Sequence, residues 1–223
     1  MVPKTGFFLF HLASIVLCAY MVWGPGVETL GGWFGQAWAV TDPARGQVLF
    51  AVATLYWLRH ALTLFYLLVR KVEWGEVIGL SLFMGAFEVG LCMLAAGAWR
   101  DEATAFGPID GVAIALVLFG SYLNTASEVQ RKWWKRHPEN KGRCYTEGLF
   151  AWSMHINYFG DTVLFTGWCL LTANWWTLLA PLLMAASFVF FHIPGLDAYL
   201  EERYGDEFVE YAGKTKKFMP FIY

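Results

Sequence analysis

Asn124, Ser127 and Glu128 stand at positions i, i+3 and i+4 of an otherwise apolar stretch. One face of a helix there would present an amide, a hydroxyl and a carboxylate together. Arg131 and Lys135 continue that face, and the run RKWWKRHPENKGR over 131–143 holds six Lys and Arg residues. Acceptors followed by cations suit a ligand that combines hydroxyls with phosphates. Glu128 could take ribose hydroxyls while Arg131 or Lys135 pairs with a phosphate. A juxtamembrane segment attracted to anionic lipid has the same charge pattern and needs no cofactor.

A second polar group follows in GLFAWSMHINYFGD, where His155, Asn157, Tyr158 and Asp161 fall within seven residues. Gly160 among them permits a bend or the close approach of another backbone. A third lies in LYWLRHALTLFYLLVRK, which sets Tyr56, Arg59, His60 and Thr63 on roughly one face of an apolar helix. A charged side chain at membrane depth is expensive and marks a functional site by default. Arg59 therefore needs a carboxylate or a phosphate, and Glu88, the other charge inside an apolar run, could be that carboxylate. Tyr56, one turn away, could donate a proton or hydrogen bond to a carbonyl or enol oxygen.

These residues must be positioned by helices in a bilayer. The 223 residues are 57% hydrophobic and 18% aromatic, with only 15% charged, which excludes an ordinary water-soluble domain. A hydrocarbon core of about 30 Å takes roughly 20 apolar residues per helix. Candidate spans run over 7–23, 48–69, 77–99, 112–129, 164–176 and 178–192. The fold class is thus all-α, a polytopic membrane protein of about six transmembrane helices. Lys4, Arg70, Lys71, the 131–143 run, Arg203 and the lysines at 214–217 fall on one side, with only Arg45 and Arg100 on the other. By the positive-inside rule both termini and the basic run are cytoplasmic.

The first span lacks a small-x-small cleavage site after it and reads as an uncleaved helix. Residues 24–46, rich in Gly and Trp, read as an outer interfacial loop. Cys18, Cys92, Cys144 and Cys169 have no CxxC spacing and read as core residues, with no metal site. The tail after 198 repeats Leu200, Tyr204, Phe208 and Tyr211 at helical spacing and predicts an amphipathic cytoplasmic helix. No repeat or linker divides the chain, which reads as one membrane domain with N-terminal helices over 1–110 and a core over 111–223.

From Gly120 to the C-terminus the chain resembles the C-terminal domain of the steroid 5-alpha-reductase family, whose core is shared with sterol C14 and C7 reductases and isoprenylcysteine carboxyl methyltransferases. The resemblance rests on Asn124 to Glu128, then Gln130, Arg131, Lys135, Pro138, Asn140, Gly142, Gly148 and Leu149. It continues through Asn157-Tyr158-Phe159-Gly160-Asp161 to Tyr204-Gly205, Phe208, Tyr211 and Pro220-Phe221-Ile222-Tyr223.

The resemblance implies a membrane oxidoreductase of a bacterial inner membrane. It would reduce a carbon–carbon double bond of a steroid, sterol or prenyl-like enone with NADPH. Its partners would be that lipid-soluble substrate and membrane lipid, with no nucleic acid. The implied cofactor contacts are Arg59, Asn124, Glu128, Arg131, Lys135, His155, Asn157, Tyr158, Asp161 and Tyr204. Tyr56 is the implied acid, helped by a glutamate for which Glu28 is the candidate. The stretch HIPGLDAYLEERYG has His192 and Arg203 but not the Arg with paired His that the reductases carry there, and the methyltransferases favour a Glu-Glu pair near Glu201 and Glu202. The alternatives are thus an S-adenosylmethionine-dependent methyltransferase and a non-catalytic scaffold.

Overall fold

A computed structural model describes residues 1–223 as an all-helical chain without a strand. The reason is physical: inside a bilayer every peptide group must be satisfied within its own segment, and a helix does this. The chain forms two compact units, Met1–Ile114 with Trp168–Thr177, and Ala115–Gly167 with Leu178–Tyr223.

The first unit is built on α1 (Val2–Trp23), α2 (Gly26–Trp33), α3 (Pro43–Leu62) and α4 (Trp74–Ala95), with α1 packed mainly on α4 and α3. The buried residues of α1 are Phe7, His11, Ser14, Ile15, Cys18, Met21 and Val22. Their three- and four-residue spacing makes one stripe, and the stripe carries two polar side chains into the packed interior. Pro43 opens α3 and the Asp42 carboxylate caps it by accepting the Arg45 amide at 3.2 Å. A π-helical turn, Thr63–Leu67, ends this span.

α5 (Pro108–Trp134) and α6 (Ile156–Leu170) come next, followed by α7 (Leu179–Ser187), a π-helical turn over Phe188–His192, α8 (Ile193–Tyr204) and α9 (Asp206–Lys214). Within the second unit α5 and α6 run antiparallel and touch through glycines. A β-carbon at Gly120 would fall 2.3 Å from the Leu164 amide nitrogen and 2.4 Å from the Gly160 carbonyl oxygen. One at Gly160 would fall 2.7 Å from the Asn124 amide nitrogen. Gly160 therefore serves close approach, and the polar segment from Asn157 to Asp161 lies inside a regular helix.

Five segments are long and apolar enough to cross a membrane: Val2–Trp23, Pro43–Leu67, Trp74–Ala95, Pro108–Trp134 and Trp175–Tyr204. The protein is accordingly an all-α polytopic membrane protein. The expected span over 164–176 is different in the structure. α6 begins eight residues earlier and stops at Leu170, 15 residues in all. It stops because the Thr172 and Thr177 hydroxyls both donate to the Cys169 carbonyl, and Ala173 takes a left-handed φ of 55°. The expected interfacial loop over 24–46 contains the short helix α2.

The expected tail helix is two helices, broken at Gly205, whose φ of 54° suits glycine. Leu200, Tyr204, Phe208 and Tyr211 keep their common face across the break and pack on Cys144 and Met154. The four cysteines are free and buried. The buried Tyr211 hydroxyl donates to the Phe150 carbonyl at 2.6 Å. Tyr211→Phe leaves that carbonyl unsatisfied and should lower stability by about 1 to 3 kcal/mol. Chemical denaturation in detergent, compared with wild type, measures it.

Candidate functional site

Nine of the twelve expected site residues belong to the second unit. The antiparallel α5 and α6 bring the first two polar groups of the sequence together. The Asn124 amide donates to the Asn157 carbonyl at 3.1 Å and to the Asp161 carboxylate at 2.9 Å. The Asn157 amide donates to Glu128 at 3.0 Å. Arg131 bonds the other oxygen of Glu128. Ser127 stands apart from its predicted companions: it is fully buried and bonds the Asn124 carbonyl of its own helix.

Arg131, Lys135, His155, Asn157 and Tyr204 line one cleft of about 80 Å³, which Tyr211 also walls. The Lys135 ammonium bonds the Tyr204 hydroxyl at 3.1 Å and the Arg143 carbonyl, and lies 4.8 Å from the Tyr204 ring. His155 is buried, with Nε2 on Asp197 at 2.8 Å, and Asp197 also holds Lys217 at 3.1 Å. The imidazole stacks on Tyr158 at 5.7 Å, and Tyr158 stacks on Phe188 at 4.5 Å. The backbone of the tail closes this wall, because the amides of Met154 and His155 donate to the carbonyls of Lys216 and Lys217.

A second hollow of about 320 Å³ shares Cys144 and Tyr211 with the cleft and adds Arg143 and Lys214. The sequence reading places Arg143 in the basic run over 131–143 and counts Lys214 for topology only. Arg143 lies eight residues from Lys135 and 64 from Glu207, and no local spacing ties Lys214 to Lys135. Arg143 Nε donates to Glu207 at 2.9 Å. The Cys144 amide on the other oxygen of Glu207, joined by Arg143, holds this carboxyl below its usual range. Burial pushes the Cys144 thiol and the Tyr211 phenol up, so both stay neutral at ordinary pH. The groove walls thus combine four cations with three carboxylates, Glu147, Glu207 and Glu210, of which Glu207 pairs with Arg143 and Glu210 with Lys214, and neutral aromatic surface.

In the first unit Tyr56 is half-buried, its ring 5.4 Å from Trp168 and 5.7 Å from His11. The Arg59 guanidinium lies 4.9 Å from the Tyr56 ring, which keeps those two candidates together. The expected Arg59–Glu88 ion pair is replaced by another: Glu88 bonds His11 Nε2 at 2.6 Å. A histidine one helix away reaches the buried carboxylate directly. Glu28 is exposed on α2, where it accepts the Val40 amide at 3.5 Å. α2 follows the end of α1, which is roughly 18 Å beyond His11 at 1.5 Å per residue. Glu88, which shares His11 with Tyr56, is the carboxyl of that neighbourhood and was read from sequence only as a salt-bridge partner.

No curated protein matches the chain. A family profile described as protein of unknown function (DUF1295) matches residues 81–215, which cover most of α4 and all of α5 to α9. That match spans well over half of the chain, and this protein belongs to the DUF1295 family.

Proposed function

We propose that this protein is a membrane-embedded reductase of the steroid 5-alpha-reductase-like superfamily, which saturates a carbon–carbon double bond of a lipid-soluble enone with NADPH. The observation that carries the reading is the convergence of Arg131, Lys135, His155, Asn157 and Tyr204 on one cleft. The donor set fits the cofactor in kind. Arg131 and Lys135 supply cations for phosphates in the cleft, while Arg143 and Lys214 in the adjoining hollow would have to exchange Glu207 and Glu210 for a phosphate. Glu128 and Asn157 supply the acceptor and donor that a ribose or an amide requires. The cleft itself has room for one such group, and the adjoining hollow for more. When bound, NADPH supplies a hydride. Tyr56 would hold a proton at its phenol oxygen and hydrogen-bond the substrate carbonyl, with Arg59 beside its ring.

The same cleft would face the cytoplasm of a bacterial inner membrane. α6 lies antiparallel on α5 at the level of Gly120 and Gly160, which supports its being a sixth crossing despite its length. Six crossings return both termini to the side of the basic run.

One observation favours S-adenosylmethionine as a second reading. Arg131 is engaged by Glu128 and Lys135 by the Arg143 carbonyl, which suits a smaller cofactor with no phosphate. A thermal-unfolding panel with NADPH, NADH and S-adenosylmethionine separates the two. A ligand that binds only the folded state adds about 2.7 kcal/mol at 100 times its dissociation constant. NADPH should stabilise wild type and not the Arg131→Ala/Lys135→Ala variant. Stabilisation by S-adenosylmethionine alone, retained in that variant, would move the assignment to methyl transfer. No shift with any of the three leaves a scaffold.

A further inference from the structure

Three helices of the first unit bring a chain of hydrogen-bonded titratable groups into the membrane interior. Glu88 of α4 meets His11 Nε2 at 2.6 Å, and His11 Nδ1 meets His60 Nδ1 of α3 at 2.8 Å. Glu88 and His11 are 1% and 0% exposed, and His60 is partly buried, the least buried of the three. The second oxygen of Glu88 is buried without a hydrogen-bond partner. The other groups facing this chain are Tyr56 and Arg59 from α3, Cys18 from α1 and Cys92 from α4. Phe7 closes over the His60 ring at 4.4 Å.

The two contacts of His11 restrict where hydrogens can be. A neutral imidazole has one donor and one acceptor nitrogen, so the direction of one bond sets the direction of the other. With Glu88 ionised, it accepts from His11 Nε2–H, and His11 Nδ1 accepts from His60 Nδ1–H. The alternative has Glu88 protonated and donating to His11 Nε2, His11 Nδ1–H donating to His60 Nδ1, and the His60 hydrogen on Nε2. The second arrangement holds one proton more than the first. It is reached when a proton binds His60 Nε2, the His60 Nδ1 proton passes to His11 Nδ1, and the His11 Nε2 proton passes to Glu88. Three N–H or O–H bonds form and two N–H bonds break, no electrons are transferred, and no imidazolium remains.

We propose that His60, His11 and Glu88 form a proton relay that takes a proton at His60, the least buried of the three, and stores it on Glu88, whose partner His11 also faces the Tyr56 ring. The membrane interior favours this over an ion pair, because a proton kept on His11 would leave a carboxylate and an imidazolium both buried. The orphaned Glu88 oxygen points the same way, since an ionised carboxylate there lacks a donor that a carboxylic acid does not need. The relay is independent of which cofactor the cleft binds.

The test uses the full chain in phosphatidylcholine nanodiscs, labelled with ¹⁵N-histidine, and titrated from alkaline to acid. Infrared difference spectra should gain one protonated-carboxyl stretch per chain that is absent from the Glu88→Gln variant, in addition to those of the exposed carboxylates common to both. Over the same midpoint the His11 hydrogen should move from Nε2 to Nδ1 without an imidazolium signal. After a pH jump His60→Phe should gain the band several-fold more slowly than wild type. An imidazolium at His11 opposite an ionised Glu88 would overturn the relay, as would no change in either group. An unslowed band in His60→Phe would remove His60 from it. The wild-type titration decides the proposal even where a variant does not fold.

Discussion

Arg45→Met should be among the most destabilising single substitutions in the chain, at about 3–5 kcal/mol, the range for removing one partner from a buried ion pair. The Arg45 side chain is 1% exposed. Its Nη1 bonds Asp110 and the Leu171 carbonyl at 3.0 Å, and its Nη2 bonds the Thr104 carbonyl at 3.1 Å. Its Nε faces Asp42 at 3.4 Å, and the plane lies 4.5 Å from the Phe106 ring. One guanidinium thus ties the start of α3 to the Thr104–Asp110 segment and to the end of α6. Methionine fills much of the volume but leaves the Leu171 and Thr104 carbonyls without this donor and Asp110 without its cation. Arg45→Met/Asp110→Asn removes the stranded charge and should recover part of the loss. Denaturant unfolding of both variants in detergent measures this, and a double variant no better than the single one would contradict the charge argument.

Gly120→Ala should be damaging for a different reason, at about 1–3 kcal/mol or more, the usual range for overpacking. The added carbon meets the Leu164 amide nitrogen and the Gly160 carbonyl oxygen, both backbone atoms of α6 that no rotamer change can move. The helices must separate, and separation lengthens the Asn124–Asp161 and Asn157–Glu128 bonds a few residues away. The variant should therefore lose stability and cofactor response together. Gly160→Ala strains the same crossing, so the two substitutions combined should cost less than their sum. Gly111→Ala on the same helix has open space around it and should be neutral or slightly stabilising. A Gly120→Ala protein as stable as Gly111→Ala would refute the close crossing.

Sequence patterns carry what depends on one helix at a time. The apolar runs identify the all-α membrane class, and the i, i+3, i+4 spacing of Asn124, Ser127 and Glu128 places a polar face near the end of α5. The pairing of that face with Asn157 and Asp161 is less legible, because it depends on a glycine crossing between residues 33 and 37 apart in the chain. The His11–Glu88 bond joins residues 77 apart, and a lone histidine in the first span gave no local sign of it. Hydropathy also misplaced α6. Its N-terminal turns carry Asn157, Tyr158 and Asp161, whose polarity lowers the local average although α5 covers them. Arg143 and Lys214 reach the groove through the fold of the tail and not through spacing.

The π-helical turn at Phe188–His192 has a consequence for how this family varies. One residue removed from it would run α7 into α8 with an α-helical turn kinked at Pro194, and everything beyond would rotate by roughly 100° about the axis, one residue's share of a 3.6-residue turn. Asp197 would swing away from His155, and Tyr204 from Lys135, with no side chain altered. The identity of the groove wall is thus written in the number of residues before it. A single-residue gap at this turn should separate family members with different ligands more sharply than any substitution in the groove.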